Sequence, residues 1–319
     1  MLVTTLAGGI GAARFLRGLR AELSTRGEPH EITVVGNTGD DIELFGLHVS
    51  PDLDTVMYTL GGGIHEEQGW GRDGETFAVK AELAAYDAQP QWFGLGDRDL
   101  ATHLVRTQML AAGYPLSQVT QALCERWRPG VRLLPMTDQR VQTHVVVDDE
   151  QGRRAVHFQE WWVRMHAAVP ALAIVPVGVE DAEPGPGVLD AIAAADVVLL
   201  PPSNPVVSIG IILAVPGVRE ALAATAAPVV GVSPIIGGRP VRGMADACLA
   251  AIGVPTTAAD VGRLYSGLVD GWLVDDADAD ATVPGMTVRS RDLYMRDGPS
   301  ASAIAAAALD LAAELRGRG

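Results

Sequence analysis

The sequence predicts an α/β protein, with a Rossmann-like, doubly wound and mostly parallel sheet and a mainly helical insertion. Short apolar strands alternate with amphipathic helices, and several of these strands end in Gly- or Pro-rich loops. The chain has 319 residues and is 48% hydrophobic but only 5% aromatic, which suits small side chains that pack helices closely against a sheet.

The N-terminal part begins with a strand, a helix and a second strand. The run "MLVTTLAGG" is a short apolar strand that ends in glycines, "ARFLRGLRAEL" has apolar residues at helical spacing, and "EITVVGN" is the second strand. This order implies two parallel strands joined by a right-handed crossover.

Residues 64–130 differ in composition, because Trp, Gly and charged residues occur there in helical patterns such as "TFAVKAELAAY" and "LATHLVRTQMLAAG". We expect a mainly helical insertion between two parts of the core, residues 1–63 and 131–319. In the second part, strands are predicted at "VRLLP", "THVVVDD", "RAVHFQEWW", "DVVLLPPSNP", "APVVGVSPIIGG", "GWLVDD" and "MTVRS", with a hairpin at "DEQGR" and helices between the later strands.

Composition excludes several functions. The net charge of −15 argues against nucleic-acid binding, and Lys80, the single lysine, argues against Schiff-base and P-loop chemistry. Cys124 and Cys248 are isolated, so neither a disulfide framework nor a cysteine metal site is predicted. Without a signal-peptide layout or a long apolar stretch, we expect a cytoplasmic protein with no membrane contact.

The stretch "GGIGAARFL" resembles part of a dinucleotide fingerprint. Gly9 and Gly11 follow the first strand, but Arg14 stands where the third glycine would be, and Asn37 ends the second strand in place of a ribose-binding acid. An NAD-dependent oxidoreductase is therefore disfavoured. The helix start can still bind a phosphate, or the glycines can simply serve a tight turn.

Two acidic stretches lie near the predicted sheet edge. In "GNTGDDIELFG", Asp40 and Asp41 follow the second strand, where they either meet a ligand or form a solvated turn. In "SPDLDT", Ser50 is the expected N-cap, and Asp52 in the first turn needs no function to explain it. Asp54 lies about 200° further around the helix, and we expect Asp54 to face the cleft.

Other polar residues lie in loops. In "GLGDRDLATHL", Asp97 or Asp99 is a candidate N-cap of the following helix. Asp99 can also pair with His103, one turn later, which is expected on the helix surface. Arg98 lies between two acids, where the alternative to a site is a salt-bridged loop. In "PPSNP" and "VSPIIGG", polar groups follow two strands and could bind a nucleobase or pyrophosphate: Ser203, Asn204, Ser233 and Gly237. Because no motif for covalent catalysis is present, metal-assisted phosphoryl or nucleotidyl chemistry is favoured.

The motifs, taken together and in order, resemble one family. The stretches "AGGIGAARFLRGL", "NTGDD", "SPDLDTVMYTLGG", "GLGDRDLATHL", "PMTDQRVQTHV", "FQEWWVR", "PPSNPVVSIGIIL" and "VSPIIGG" are similar to the 2-phospho-L-lactate transferases of coenzyme F-420 biosynthesis. The likeness is greatest to the actinobacterial phosphoenolpyruvate-transferase branch. It implies a Rossmann-like core, a requirement for Mg²⁺ and a homodimer.

The resemblance also implies a reaction. The terminal hydroxyl of the ribityl chain of the deazaflavin Fo attacks a guanosine-diphosphate-linked donor that carries enolpyruvate or lactate, and GMP leaves. A related family with a similar core binds nucleotide sugars and regulates metabolism, and it remains the alternative.

Residues are expected at each part of this site: Asp54 and Arg98 from the resemblance, and the others as hypotheses from the motifs. Asp54 and Arg98, with Asp97, are expected at the Fo site, to which the insertion contributes. The expected magnesium ligands are Asp54, Asp40 and Asp41, and the expected catalytic residues are Asp54, Asp41 and Arg98. The expected nucleotide and phosphate contacts are Gly9, Gly11, Ala12, Asn37, Asn204, Ser233 and Gly237.

Overall fold

A computed structural model describes residues 1–317 and contains fourteen strands and eleven α-helices within that range. The strands are Leu2–Ala7 (β1), Glu31–Gly36 (β2), Ile42–Leu44 (β3), Leu47–Val49 (β4), Arg132–Pro135 (β5), Gln142–Asp149 (β6), Gly152–His157 (β7), Ala173–Val177 (β8), Val197–Leu200 (β9), Val229–Val232 (β10), Ile235–Ile236 (β11), Arg239–Pro240 (β12), Gly271–Val274 (β13) and Thr287–Ser290 (β14). The helices are Gly9–Arg26 (α1), Pro51–Leu60 (α2), Ala78–Ala85 (α3), Asp99–Ala111 (α4), Leu116–Trp127 (α5), Val188–Ala193 (α6), Ile209–Ala214 (α7), Val218–Ala224 (α8), Ala245–Ala251 (α9), Ala258–Arg263 (α10) and Gly298–Arg316 (α11).

Seven strands form a central parallel sheet in the order β14-β13-β10-β9-β1-β2-β5. The predicted doubly wound α/β fold is therefore confirmed. The chain adds β2 and β5 on one side of β1 and then returns to β9 on the other side. In open parallel sheets, the crevice at such a reversal, outside the carboxyl ends of the strands, is the usual ligand site.

Each face of this sheet is covered by its own apolar cluster. Consecutive strand residues point to opposite faces, so Val34 joins the cluster built by α1, α2, α5 and α11, whereas Val35 joins the cluster built mainly by α6 to α10. Continuous apolar runs such as "VVLL" in β9 are buried on both faces, as expected of a parallel sheet.

Two smaller features differ from expectation. The predicted strand "RAVHFQEWW" ends at His157, and a single π-helical turn, Glu160–Arg164, follows. Phe158 and Trp161 are buried in one small cluster, and their spacing of three places them on the same side of a helical turn rather than on alternate sides of a strand. In addition, β8 was not expected; it pairs with β6 in an antiparallel sheet ordered β7-β6-β8.

The helical character of residues 64–130 is confirmed, because α3, α4 and α5 lie there and the described pairing in this range is one isolated bridge from Ile64 to Arg72. Helix α5 packs Val119 and Leu123 into the core cluster of α1. The boundaries of the insertion stay a prediction. Among residues 1–317, no helix is both long and apolar enough to cross a bilayer.

Candidate active site

The loops after β1 and β9 are in direct contact at the reversal of the sheet. The Gly8 N–H donates to Ser203 Oγ at 3.3 Å, and the Ser203 hydroxyl donates to the Gly8 carbonyl oxygen at 2.9 Å. A methyl group at Gly11 would overlap the carbonyl oxygen of Pro202. Gly11 is thus required for close packing of the two loops, in line with the tight-turn explanation.

Asp52 lies beside the glycine turn. Its carboxylate accepts a hydrogen bond from Asn37 Nδ2 at 2.9 Å and one from the Gly9 N–H at the start of α1. Burial raises the pKa of Asp52 to about 7, with the Asn37 hydrogen bond acting against this rise. Asp52 therefore occupies the helix start at which a phosphate was expected, and the neighbouring Ala12 is buried.

Asp40 and Asp41 complete what we call the acidic cluster, Asp40, Asp41 and Asp52. Asp40 is only 3% exposed. Burial first, and then the charges of Asp52 and Asp41, raise the pKa of Asp40 well above its ordinary value. Asp41 accepts hydrogen bonds through Oδ2 from Ser50 Oγ at 2.7 Å and His48 Nε2 at 2.8 Å. The Ser50 hydroxyl is thus used by Asp41, and Ser50 starts α2 without a side-chain cap.

The acidic cluster fits a hard cation. Among the described residues, the Oδ1 atoms of Asp40 and Asp41 are buried without a hydrogen-bond partner. No group of three or more His, Cys, Asp or Glu side chains within residues 1–317 is arranged to enclose a metal ion. Mg²⁺ needs no such enclosure, because it commonly binds one or two carboxylates together with waters and substrate phosphates.

Asp54 belongs to a different environment. Arg106 of α4 donates to both carboxylate oxygens of Asp54, through Nη1 to Oδ2 at 3.1 Å and through Nη2 to Oδ1. Both side chains are buried. Burial raises the pKa of Asp54, while Arg106 and His103 oppose the rise. The expectation that Asp54 faces the cleft stays a prediction. The two carboxylates point to opposite sides of α2, and Asp52 is on the side of the turn.

His103 is buried, with 1% of its surface exposed, so its expected surface position is wrong. Its Nδ1 lies 3.2 Å from Arg106 Nη1, and its Nε2 lies 3.3 Å from Asp99 Oδ2. The expected pairing of Asp99 with His103 is confirmed. The reason for burial is the helical spacing, because Thr102, His103 and Arg106 form the buried face of α4.

The other residues of "GDRD" have separate roles. Asp97 accepts hydrogen bonds from the Thr76 hydroxyl at 2.5 Å and from the N–H groups of Ala78 and Val79 at 2.9 and 3.0 Å, and so caps α3. Arg98 is exposed, and its Nη1 donates to the Asp73 carbonyl oxygen at 3.1 Å. The guanidinium group of Arg98, one of the predicted Fo-site residues, is thus at the surface.

The loop residues expected at the nucleotide form hydrogen bonds within the protein. Asn204 Oδ1 accepts from the N–H groups of Val206 and Val207 at 2.9 and 3.2 Å. Ser233 Oγ donates to the Ile235 carbonyl oxygen at 2.9 Å, and the Gly237 N–H donates to Asp278, also at 2.9 Å. None of these hydrogen bonds reaches the glycine turn.

The sequence reasoning missed Arg106 and the role of His48. For Arg106 the helical pattern gave no signal, because the apolar Leu104 and Val105 of the same helix are exposed while Arg106 is buried. For His48 there was no local signal, because its partner Asp41 lies across the β3–β4 hairpin.

Comparison with known proteins identifies the family of the chain. Residues 3–294 match the family model described as 2-phospho-L-lactate transferase CofD. The chain is 67% identical to a phosphoenolpyruvate transferase of Thermobifida fusca, with all of both chains covered. It is 56% identical to a phosphoenolpyruvate transferase of Mycolicibacterium smegmatis, over 98% of this chain and 99% of the relative.

A solved structure shows the same fold. Protein BH3568 of Bacillus halodurans superposes with a TM-score of 0.62 at 18% identity, covering 96% of this chain and 98% of the other. From the matched family model and these relatives, the chain belongs to the 2-phospho-L-lactate transferase family and is a transferase.

Proposed function

We propose that this transferase moves a phosphoenolpyruvyl group from a guanosine-diphosphate-linked donor to the terminal ribityl hydroxyl of the deazaflavin Fo. The relatives that are 56–67% identical are named phosphoenolpyruvate transferases, which favours enolpyruvate over lactate in the donor. A homodimer, expected from the family resemblance, stays a prediction.

In the proposed reaction, the hydroxyl oxygen of Fo forms a bond to the phosphorus that bears the three-carbon acid. The bond from this phosphorus to the oxygen of the GMP phosphate breaks, and GMP leaves with the electron pair. The proton of the hydroxyl is released to a base or to water. The chain therefore has to bind a polyanionic donor although its own net charge is −15.

The unpaired carboxylate oxygens beside the glycine turn are the observation that carries this proposal. Asp40 and Asp41 would hold Mg²⁺ through their Oδ1 atoms. When bound there, Mg²⁺ would neutralise charge on the donor diphosphate. Asp54 is proposed only as a contact of the acceptor, because Arg106 already neutralises its carboxylate.

Two arginines at the same edge support binding of an anion. Arg14 of α1 donates to the Glu66 carbonyl oxygen and Arg242 to the Glu67 carbonyl oxygen, both at 3.3 Å. A methyl group at Gly69 would lie 3.7 Å from Arg14 Nη2 and 3.0 Å from Arg242 Nη1, so the two cations approach the same point. Burial, and then the charge of Arg242, lower the pKa of Arg14. We propose that this pair attracts the donor.

The central experiment supplies the purified protein with Fo, Mg²⁺ and either the enolpyruvyl or the lactyl guanylated donor, and identifies products by mass. We expect Fo to gain the phosphoenolpyruvyl group and GMP to appear in equal amount. A nucleotide-sugar-binding regulator would leave Fo unchanged with both donors, which would contradict the proposal.

Two variants test the acceptor site. Arg98→Lys should raise the KM for Fo, because lysine lacks the planar fork of the guanidinium group.

Asp54→Asn keeps the size of the side chain but removes its charge, and should lower turnover at saturating Mg²⁺. An unchanged KM in the first variant would remove Arg98 from the site, and unchanged turnover in the second would leave Asp54 with only a structural role.

A further inference from the structure

A continuous chain of close polar contacts connects helix α2 to helix α4. We call it the buried bridge, and its members in order are Tyr58, Asp99, His103, Arg106 and Asp54. The Tyr58 hydroxyl donates to Asp99 Oδ1 at 2.6 Å, Asp99 Oδ2 lies 3.3 Å from His103 Nε2, and His103 Nδ1 lies 3.2 Å from Arg106 Nη1. Arg106 then donates to Asp54.

The direction of each hydrogen bond in the buried bridge is fixed. Arginine is always a donor, so the Nδ1 atom of His103 accepts from Arg106. The other ring nitrogen, Nε2, then carries a proton and faces the carboxylate of Asp99. Asp99 receives the proton-bearing groups of His103 and Tyr58, and although burial acts to raise its pKa, these two partners lower it below its ordinary value. The bridge therefore contains one guanidinium group and two carboxylates.

The bridge spans the two motifs that carry the acceptor site in the proposed function. Asp54 belongs to "SPDLDT", and Asp99 follows Arg98 directly in "GDRD". The backbone N–H groups of Arg98 and Asp99 are both held at 2.8 Å by the carboxylate of Glu75. Arg98 is therefore adjacent to Asp99 in the bridge, and Asp54 is at the other end of it.

Stability alone does not account for such a chain. A buried ion pair loses much of its attraction to the cost of removing both charges from water, and well-packed apolar residues often stabilise a core as well or better. The same chain is effective at fixing geometry, because each member has a defined donor and acceptor direction.

We propose that His103 and Arg106 are positioning residues that hold Asp54 and Arg98 at the separation needed to bind the acceptor alcohol. The inference rests on the proposed contacts of Asp54 and Arg98 with the deazaflavin. Neither His103 nor Arg106 needs to touch the substrate, since both are about 1% exposed.

The test compares His103→Leu with His103→Gln in steady-state assays that vary Fo and the guanylated donor separately. Leucine interrupts the bridge, and we expect the KM for Fo to rise about 10-fold or more, as for other residues that orient a binding group, with the KM for the donor unchanged. Glutamine can accept from Arg106 and donate to Asp99, so it should restore most of the affinity for Fo.

Asp138→Asn is the matched control. Asp138 accepts hydrogen bonds from the Ser117 N–H at 2.6 Å and the Ser117 hydroxyl at 2.9 Å at the start of α5, outside the bridge. This variant should lower the melting temperature without changing the KM for Fo. Should His103→Leu be poorly folded, Tyr58→Phe removes a single hydroxyl from the bridge, and we expect it to raise the KM for Fo by a smaller factor.

Two outcomes separate the inference from the proposed function. If the wild-type protein transfers the group to Fo but His103→Leu and Tyr58→Phe lose only folded fraction, with the KM for Fo unchanged, the positioning role is wrong. If the wild-type protein neither binds Fo, as followed by deazaflavin fluorescence, nor modifies it, the proposed function itself fails.

Discussion

Asp52 and Asp54 are two residues apart at the start of α2, yet their surroundings are electrostatically opposite. Asp52 joins Asp40 and Asp41 beside the glycine turn, and the described contacts of this cluster include no arginine or lysine partner. Asp54 is paired with Arg106 in a buried ion pair. The carboxylate of Asp54 is thus already paired with a cation, whereas burial and the neighbouring carboxylates raise the pKa values of Asp40 and Asp52 on the other side.

This difference indicates that the two carboxylates have different roles. The pair of Asp54 and Arg106 is complete within the chain, so it can hold a fixed geometry before any ligand binds. In the proposed function, the acidic cluster is completed by a cation from outside, which suits a site that binds Mg²⁺ together with a diphosphate. Four predictions test this contrast, in order of decreasing effect.

The largest effect is expected from removing the cation of the completed pair. Arg106→Met leaves the carboxylate of Asp54 buried and uncompensated, and we expect the free energy of unfolding to fall by about 3–5 kcal/mol. Urea denaturation measures this change. The double variant Asp54→Asn/Arg106→Met should recover part of the loss, and equal destabilisation of the single and double variants would contradict the ion-pair explanation.

The second prediction concerns the pH dependence of the metal-free protein. The pKa of Asp52 is raised from 3.8 to about 7 on folding, so the folded state retains a proton that the unfolded state has lost. Stability should therefore fall as the pH rises from about 4 to about 7, by about 4 kcal/mol from this group, and then level off. Asp52→Asn should flatten that part of the curve. An unchanged curve in the variant would refute the assignment.

The third prediction adds the cation. At 100 times its dissociation constant, Mg²⁺ should stabilise the wild-type protein by about 2.7 kcal/mol if it binds only the folded state. The gain should be lost in Asp40→Asn and kept in Asp54→Asn, as measured by thermal unfolding with and without Mg²⁺. Loss of the gain in Asp54→Asn as well as in Asp40→Asn would place the ion at the originally expected set of ligands, Asp54, Asp40 and Asp41.

The smallest effect is expected at Asp97, whose carboxylate caps the exposed helix α3. Asp97→Asn should weaken this cap and lower the melting temperature slightly, while the KM for Fo stays close to the wild-type value. Steady-state kinetics with varied Fo checks this. A large rise in the KM for Fo would instead indicate that Asp97 contributes to the acceptor site.

The fold could be predicted because its signals are local. Each buried parallel strand is a continuous apolar run, and Pro51 marks the first residue of α2. The pairing of Asp99 with His103 was likewise visible, since it depends only on the spacing of one helical turn.

The arrangement of the site was less accessible, because it depends on contacts between distant residues. Asp54 and Arg106 are 52 positions apart, so no spacing rule reports their pairing. Helical geometry correctly separated Asp52 from Asp54 by direction, but it could not say which direction led to the glycine turn. That choice is made by the packing of α2 against the rest of the fold.

The contact of Gly8 and Gly11 with the loop after β9 has a mechanical consequence. The contacts leave no room for even a methyl group, so the loops after β1 and β9 are closely packed against each other. We therefore expect little separation of the two halves of the sheet at this point to admit a larger substrate. Helix α3, in contrast, has no buried residue to anchor it. We therefore expect substitutions that enlarge substrate range to be tolerated in residues 64–130 and rejected at Gly8 and Gly11.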